Sequence, residues 1–154
     1  MYTELIKERD ALPALNVYAA TLNNSSANTT VVDMSLFNRV NFFGLVSGGV
    51  AGNNLSINIQ QTNNANGSSP TNLSLVTGIT GTSLAIANQT SCGSFSLEAS
   101  ATQFTARYAL CNMTETSSKA VTVSCLAVAT EARYKPANTN DNSTVISRVF
   151  AANS

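Results

Sequence analysis

The chain has no histidine and no tryptophan among its 154 residues. Without histidine there is no Ser-His-Asp or Cys-His nucleophile and no His-bearing zinc site. Charge is scarce as well. Asp, Glu, Lys and Arg supply 10% of the chain, against roughly 25% in an average soluble domain. The formal net charge is zero. A phosphate-binding face needs clustered Lys or Arg, so no nucleic-acid partner is expected. No apolar run approaches the roughly 18 residues of a membrane span, so no membrane partner is expected either. Three cysteines are an odd number and imply no secreted disulfide framework. The first residues mix both signs of charge (Glu4, Lys7, Glu8, Arg9, Asp10), unlike a signal peptide. The expectation is a protein made in a cytoplasm.

What replaces charge is neutral polarity. Asn, Ser and Thr make up about a third of the chain, beside 44% apolar residues. The length fits one domain with a real core. Zero net charge removes the self-repulsion that keeps many small proteins apart, which eases dense assembly.

The densest apolar stretch, VVDMSLFNRVNFFGLVSGGV (31–50), holds three of the six phenylalanines. It reads as a short strand, a turn at Asp33–Ser35 and a long strand from about Phe37 to Val46. Val40, Phe42 and Leu45 read as core. The glycine-rich 47–54 reads as a turn between antiparallel strands. Leu55–Thr62 alternates, with Leu55, Ile57 and Ile59 on one face. Asn66–Gly67 marks a turn in the loop 63–71. Shorter strands are expected over 72–77, 82–88 and 93–99, the last through Phe95 and Leu97. A strand from Ala101 or Thr102 would place Phe104, Ala106, Tyr108 and Leu110 on one face. A turn at Glu115–Ser118 leads to a strand over 119–132 with Val121, Val123, Cys125 and Ala127 alternating. These last two strands read as a hairpin. Eight or nine short strands with almost no helix predict an all-β fold, an antiparallel β-sandwich of jelly-roll-like form.

The two ends differ from this pattern. Residues 1–22 read as an N-terminal arm: a short helix capped by Thr3 and stopped before Pro13, then an extended segment. It packs on its own domain or reaches a neighbouring subunit. Residues 23–137 form the sandwich. Tyr134-Lys135-Pro136 ends the last strand, because proline cannot continue a ladder. Residues 138–154 are a polar linker and the short apolar VISRVF, a C-terminal tail too small for its own core. Contacts to other subunits or a larger surface are expected at Leu5, Leu12, Leu15, Tyr18, Tyr134, Val145, Ile146, Val149 and Phe150.

Little in the chain invites chemistry, and no enzyme is expected. Cys111 and Cys125 flank the proposed hairpin turn. They read as small buried hydrophobes, with a cross-strand disulfide as the alternative in an oxidising setting. Cys92 sits in a turn. The carboxylates show no paired arrangement across a cleft, as a glycosidase needs. Asp33 reads as a turn residue accepting from backbone N–H groups two residues on. Asn140-Asp141-Asn142 lacks the glycine and closing Glu of a calcium loop. Gly44, Gly48, Gly49 and Gly52 have no following Lys or helix to make a phosphate loop. No metal or cofactor is expected. Asn-x-Ser/Thr triplets recur, as at Asn24, Asn72 and Asn112, and follow from composition.

Three pieces together resemble a family of small structural proteins encoded beside the capsid genes of tailed bacteriophages. They are 32–49, 55–64 and 109–137. The opening is Asp33-Met34-Ser35-Leu36-Phe37-Asn38-Arg39, and the exit from the last strand is Ala132-Arg133-Tyr134-Lys135-Pro136-Ala137. The chain departs from the family pattern after the amphipathic strand, where it has Gln60-Gln61-Thr62. The resemblance implies a virion component on the capsid exterior, a decoration or cement protein. Its partners would be the major capsid protein and its own copies, as a trimer or another homo-oligomer. A place in the tail, neck or fibre base stays open. So does a host-glycan-binding module acting through loops 63–71 and 88–93.

Overall fold

The computed structural model describes residues 11–74 and 83–133, and of 11–19 and Ala132 only the backbone. Ten strands and one 3₁₀ turn follow in order. They are β1 (Ala11–Leu22), β2 (Ser25–Asn28), β3 (Val32–Asp33), β4 (Phe37–Ser47), β5 (Asn54–Thr62), β6 (Thr71–Asn72), β7 (Leu84–Ala87), β8 (Gly93–Ser100), the turn at Ala101–Gln103, β9 (Tyr108–Glu115) and β10 (Val121–Ala132). No helix among the described residues is long and apolar enough to cross a membrane.

Two antiparallel sheets pack face to face. One has the order β1-β10-β4-β8. The other runs β2-β9-β5-β6, with β3 also on β9 and β7 also on β5. The short strands share positions. β2 pairs with residues 112–115 and β3 with 108–109 of the same strand. β6 pairs with 60–61 and β7 with 54–57 of β5. Counted by position there are eight strands among the described residues, and the first pairs with the last, the second with the seventh, the third with the sixth and the fourth with the fifth. This is one long hairpin, from β1 to β10, wound into two sheets, a jelly roll. The all-β sandwich read from the sequence is the observed fold.

Period two explains the core. On β4, Phe37, Val40, Phe42 and Val46 are buried, and on β10 Val121, Val123, Cys125, Ala127 and Ala129. The second sheet answers with Leu55, Ile57 and Ile59 of β5 and Ala109, Cys111 and Met113 of β9. The break between β2 and β3 is a bulge. Five residues on one strand (28 to 32) oppose four on β9 (112 to 109). Thr29 closes the gap, its N–H donating to the Cys111 carbonyl at 2.9 Å and its Oγ1 accepting from the Cys111 N–H at 2.8 Å.

Four expectations need correction. Leu45 is not core. It is 55% exposed, because the inward positions of β4 are 42, 44 and 46, and Gly44 takes the place between Phe42 and Val46. The turn 47–54 does not join paired strands: β4 lies in one sheet and β5 in the other. β9 and β10 likewise belong to opposite sheets and form no hairpin. The strand expected from Ala101 begins only at Tyr108. Residues 101–103 instead make a 3₁₀ turn, in which Gln103 Oε1 accepts from the Ser100 N–H at 2.8 Å. The inward set of β9 is therefore Ala109, Cys111 and Met113.

Residues 11–22, read as part of an arm, lie in the sandwich as an edge strand antiparallel to β10. The expected short helix (3–9), residues 75–82 and the tail from Tyr134 lie outside the described residues.

Candidate interaction surfaces

The sandwich has two outward faces, and they differ in chemistry. The outer face of β1-β10-β4-β8 is built in rows set by register. Leu126, Phe43 and Ser96 stand in one row, Ser124, Leu45 and Ser94 in the next. Phe43 is 47% exposed. Large apolar side chains flanked by serines leave a depression of about 450 Å³ lined by these six residues among others. No charged side chain among the described residues lines it.

Charge enters two rows further along. There Arg39 of β4 is held between Glu98 of β8 and Glu131 of β10, the second at 2.9 Å from Nε to Oε1. All three side chains are about half exposed. One guanidinium faces two carboxylates. Glu131 has φ +55°, a left-handed conformation that costs a non-glycine residue roughly 1–2 kcal/mol.

The outer face of the second sheet is neutral and polar. Asn28, Asn112 and Asn58 stand in one row, Ser26, Thr114 and Ser56 in the next. Asn112 Nδ2 donates to Asn28 Oδ1 at 2.6 Å, and Thr114 Oγ1 donates to Asn112 Oδ1 at 2.9 Å. Gln60 Nε2 donates to Asn72 Oδ1 at 2.8 Å. The Asn58 Oδ1 and Gln60 Oε1 acceptors are buried without a hydrogen-bond partner among the described residues. An unpaired buried acceptor costs about 1–3 kcal/mol.

Two carboxylates organise the loops between the sheets. Asp33 accepts from the Ser35 N–H at 2.9 Å, the turn bond expected from the sequence. It also takes a fork from Arg107, whose Nε lies 3.1 Å from both oxygens and whose Nη2 lies 2.6 Å from Oδ2. Burial works to raise the Asp33 carboxyl, and the bonds from Arg107 and Ser35 overcome it and hold it below the ordinary range. Glu115 is fully buried at the end of β9. It accepts from the N–H groups of Asn24 (2.9 Å), Asn54 (3.3 Å) and Ser117 (2.7 Å) and from the Ser117 hydroxyl. Burial works to raise it, and these four bonds pull it down to about 2. One carboxylate thus ties together the turns entering β2, β5 and β10.

Cys111 and Cys125 are free and buried, and Cys92 is free and exposed. The buried pair occupies inward positions of opposite sheets, and a hydrogen bond between the thiols joins burial in pushing the Cys111 thiol up. They are buried hydrophobes as read from the sequence, but they face across the core rather than across a hairpin.

Of the residues expected to make contacts, Leu12, Leu15 and Tyr18 lie on β1, with Leu15 opposite Leu126 in register. Leu5, Tyr134, Val145, Ile146, Val149 and Phe150 lie outside the described residues. Sequence reading missed Phe43 and Leu45 as a surface feature and Glu115 as a loop tie. The first was accessible through strict alternation from Phe42. Of the second, only the bonds from Ser117, two residues on, are local; the donors Asn24 and Asn54 lie 91 and 61 positions away and left no signal.

No protein-family model matches the chain, and no curated protein matches it. Among solved structures, it is similar to the D431N mutant VP2 protein of infectious bursal disease virus in derived T=1 particles. The TM-score is 0.30 and the identity 12%, over 82% of this chain and 41% of that one. The chain thus spans less than half the length of that protein, and a likeness at this level decides neither fold nor function.

Proposed function

We propose that the chain is a non-enzymatic virion structural protein that decorates and stabilises the capsid of a tailed phage. The observation that carries this reading is the broad, uncharged hydrogen-bonding face of β9 and β5, with Asn58 and Gln60 each holding an acceptor unpaired among the described residues. A fold does not by itself give a function. Jelly rolls serve viral capsids and lectins alike. The neutral face narrows the choice: it suits a large, flat, neutral partner, and turning the two amides toward partner donors recovers the cost of leaving them unpaired. The phage resemblance of 32–49 and 109–137 supplies the partner, the major capsid protein, and the exterior location. Zero net charge favours close packing of copies as a homo-oligomer.

The test is occupancy of the protein on purified heads. Ser56→Arg sets a long charged side chain in the middle of the neutral face and lowers occupancy about tenfold, an unpaired desolvated charge being worth more than 1.4 kcal/mol. Ser91→Arg, on an exposed bend elsewhere, leaves it unchanged. Equal occupancy for both variants contradicts the reading.

A second reading is a host-glycan-binding module. It is favoured by a shallow polar depression of about 240 Å³ where Asn66 and Gly67 of the loop 63–71 meet Asn28 and Thr29. A glycan array separates the two: hits abolished by Asn66→Ala support this reading, and an array without hits counts against it.

A further inference from the structure

Cys111 and Cys125 take no part in either outward face, yet the fold brings them together. Each is an inward residue of an interior strand, β9 between β2 and β5 and β10 between β1 and β4. Both are free and fully buried. We propose that this pair is a redox-operated staple: it stays as two thiols in reducing surroundings and closes in oxidising ones to a disulfide that joins the two sheets.

The first observation is level. β9 ends at Glu115 and β10 begins at Val121, joined by the turn 116–120. Cys111 lies four residues before Glu115, and Cys125 four residues after Val121. Each thiol therefore stands roughly 13 Å along its strand from the same turn. Sheets of an aligned sandwich keep their strands within about 30° of each other, so equal heights stay opposite. Met113 and Val123 fill the level nearer the turn, and Ala109 and Ala127 the level beyond.

The second is space. Packed sheets lie about 10 Å apart, and a disulfide asks for Cα atoms under about 7 Å apart. The sheets must approach at the bridge, as they do in immunoglobulin-type sandwiches with an inter-sheet disulfide. Ala109 and Ala127, small on both sides of the core, let these two sheets do the same. The thiols already touch, and the hydrogen bond between them joins burial in pushing the Cys111 thiol up.

The third is access. Only a thiolate attacks a disulfide, and burial keeps Cys111 as the thiol. In the closed core the pair is slow to oxidise and, once joined, slow to reduce. Closure takes place when the sheets part. One thiolate attacks a small disulfide such as oxidised glutathione, which releases one glutathione thiolate and leaves a mixed disulfide. The second thiolate attacks the protein sulfur of that bond and releases the other glutathione. Two protein thiols are oxidised, one glutathione disulfide is reduced to two thiols, and the protons of the protein thiols pass to them. The chain thus records the redox state in which it folded.

The experiment uses the full chain with Cys92→Ser, an exposed site, so that only the core pair remains. The protein is held at the midpoint of its urea transition with oxidised and reduced glutathione, then returned to buffer. Maleimide labelling in denaturant and mass measurement count its thiols. A monomer without thiols and two hydrogens lighter is expected, against two thiols in a sample kept in reductant. Two persisting thiols, glutathione adducts alone, or bridges between chains overturn the proposal. A loop of about 15 residues can also close in an unfolded chain, so urea denaturation of the two samples is the second reading. A bridge that fits the native packing lowers the unfolding constant about a hundredfold. An unchanged or raised constant shows a bridge that the sandwich does not accommodate, and also overturns the proposal. Head occupancy, which tests the capsid reading, is independent of this bridge.

Discussion

The Phe95 ring of β8 lies against Gly44 of β4, its register partner across the strand boundary. A Cβ at Gly44 would fall inside the ring's edge and 2.7 Å from the Ser124 carbonyl oxygen on the other neighbouring strand. The ring fills the side-chain space that the glycine leaves empty.

Gly44→Ala is therefore expected to destabilise the fold by about 3 kcal/mol, the upper part of the range for overpacking, since backbone as well as a buried ring must move. Urea denaturation measures it. A midpoint unchanged from the parent would show that the ring can step aside freely.

Acid stability follows from Glu115. Its carboxyl stands at about 2 in the folded chain against an ordinary 4.5. A lowered carboxyl contributes stability that is fully present above the unfolded value and is lost as pH falls from about 4.5 toward 2. Asp33, also lowered, acts in the same direction. Denaturation midpoints measured between pH 5 and pH 2.5 should fall steadily in the parent. In Glu115→Gln the starting stability is lower and the slope shallower, with the remainder due to Asp33. Parallel curves would contradict the role of Glu115 as the loop tie.

The thiols make a count. Cys92 is exposed, whereas Cys111 and Cys125 are buried in contact across the core. A thiol reagent at pH 8 should modify one cysteine per native chain quickly and three in denaturant, because the thiolate is the reactive form and burial suppresses it. Two or three fast thiols in the native chain would contradict the packing of the two sheets.

The left-handed Glu131 separates backbone strain from ion pairing. Glu131→Ala keeps the strained φ of +55° and loses the Arg39 pair, a surface contact of about 0–1 kcal/mol. Glu131→Gly loses the same pair but relieves the strain, and should be more stable than the alanine variant by about 1 kcal/mol. Thermal melting of the two variants checks the order. The reverse order would place the stabilisation in the side chain.

Much of the fold was legible because period two is a local signal. Leu55, Ile57 and Ile59, and Val121 through Ala127, show their buried face without any partner in view. Leu45 was misread because glycine interrupts the apolar set at the inward position 44, so that leucine beside it looks like the better core residue. The hairpin reading of β9 and β10 failed for a different reason. A short polar turn is the same sequence whether it closes a ladder or carries the chain across a sandwich, and long-range pairing decides which. The Asp33 turn bond was legible because donor and acceptor are two residues apart. Its fork to Arg107 was not, and neither was the tie from Glu115 to Asn24 and Asn54, since both join positions distant in sequence.

Where the protein sits, and which face it uses there, are read from a map of the virus particle by electron cryo-microscopy. Jelly-roll density is expected to repeat over the outer surface of the head, with the Asn58 and Asn112 face of the second sheet against the capsid. Density confined to one vertex or the tail, or a head surface without the protein, would contradict it.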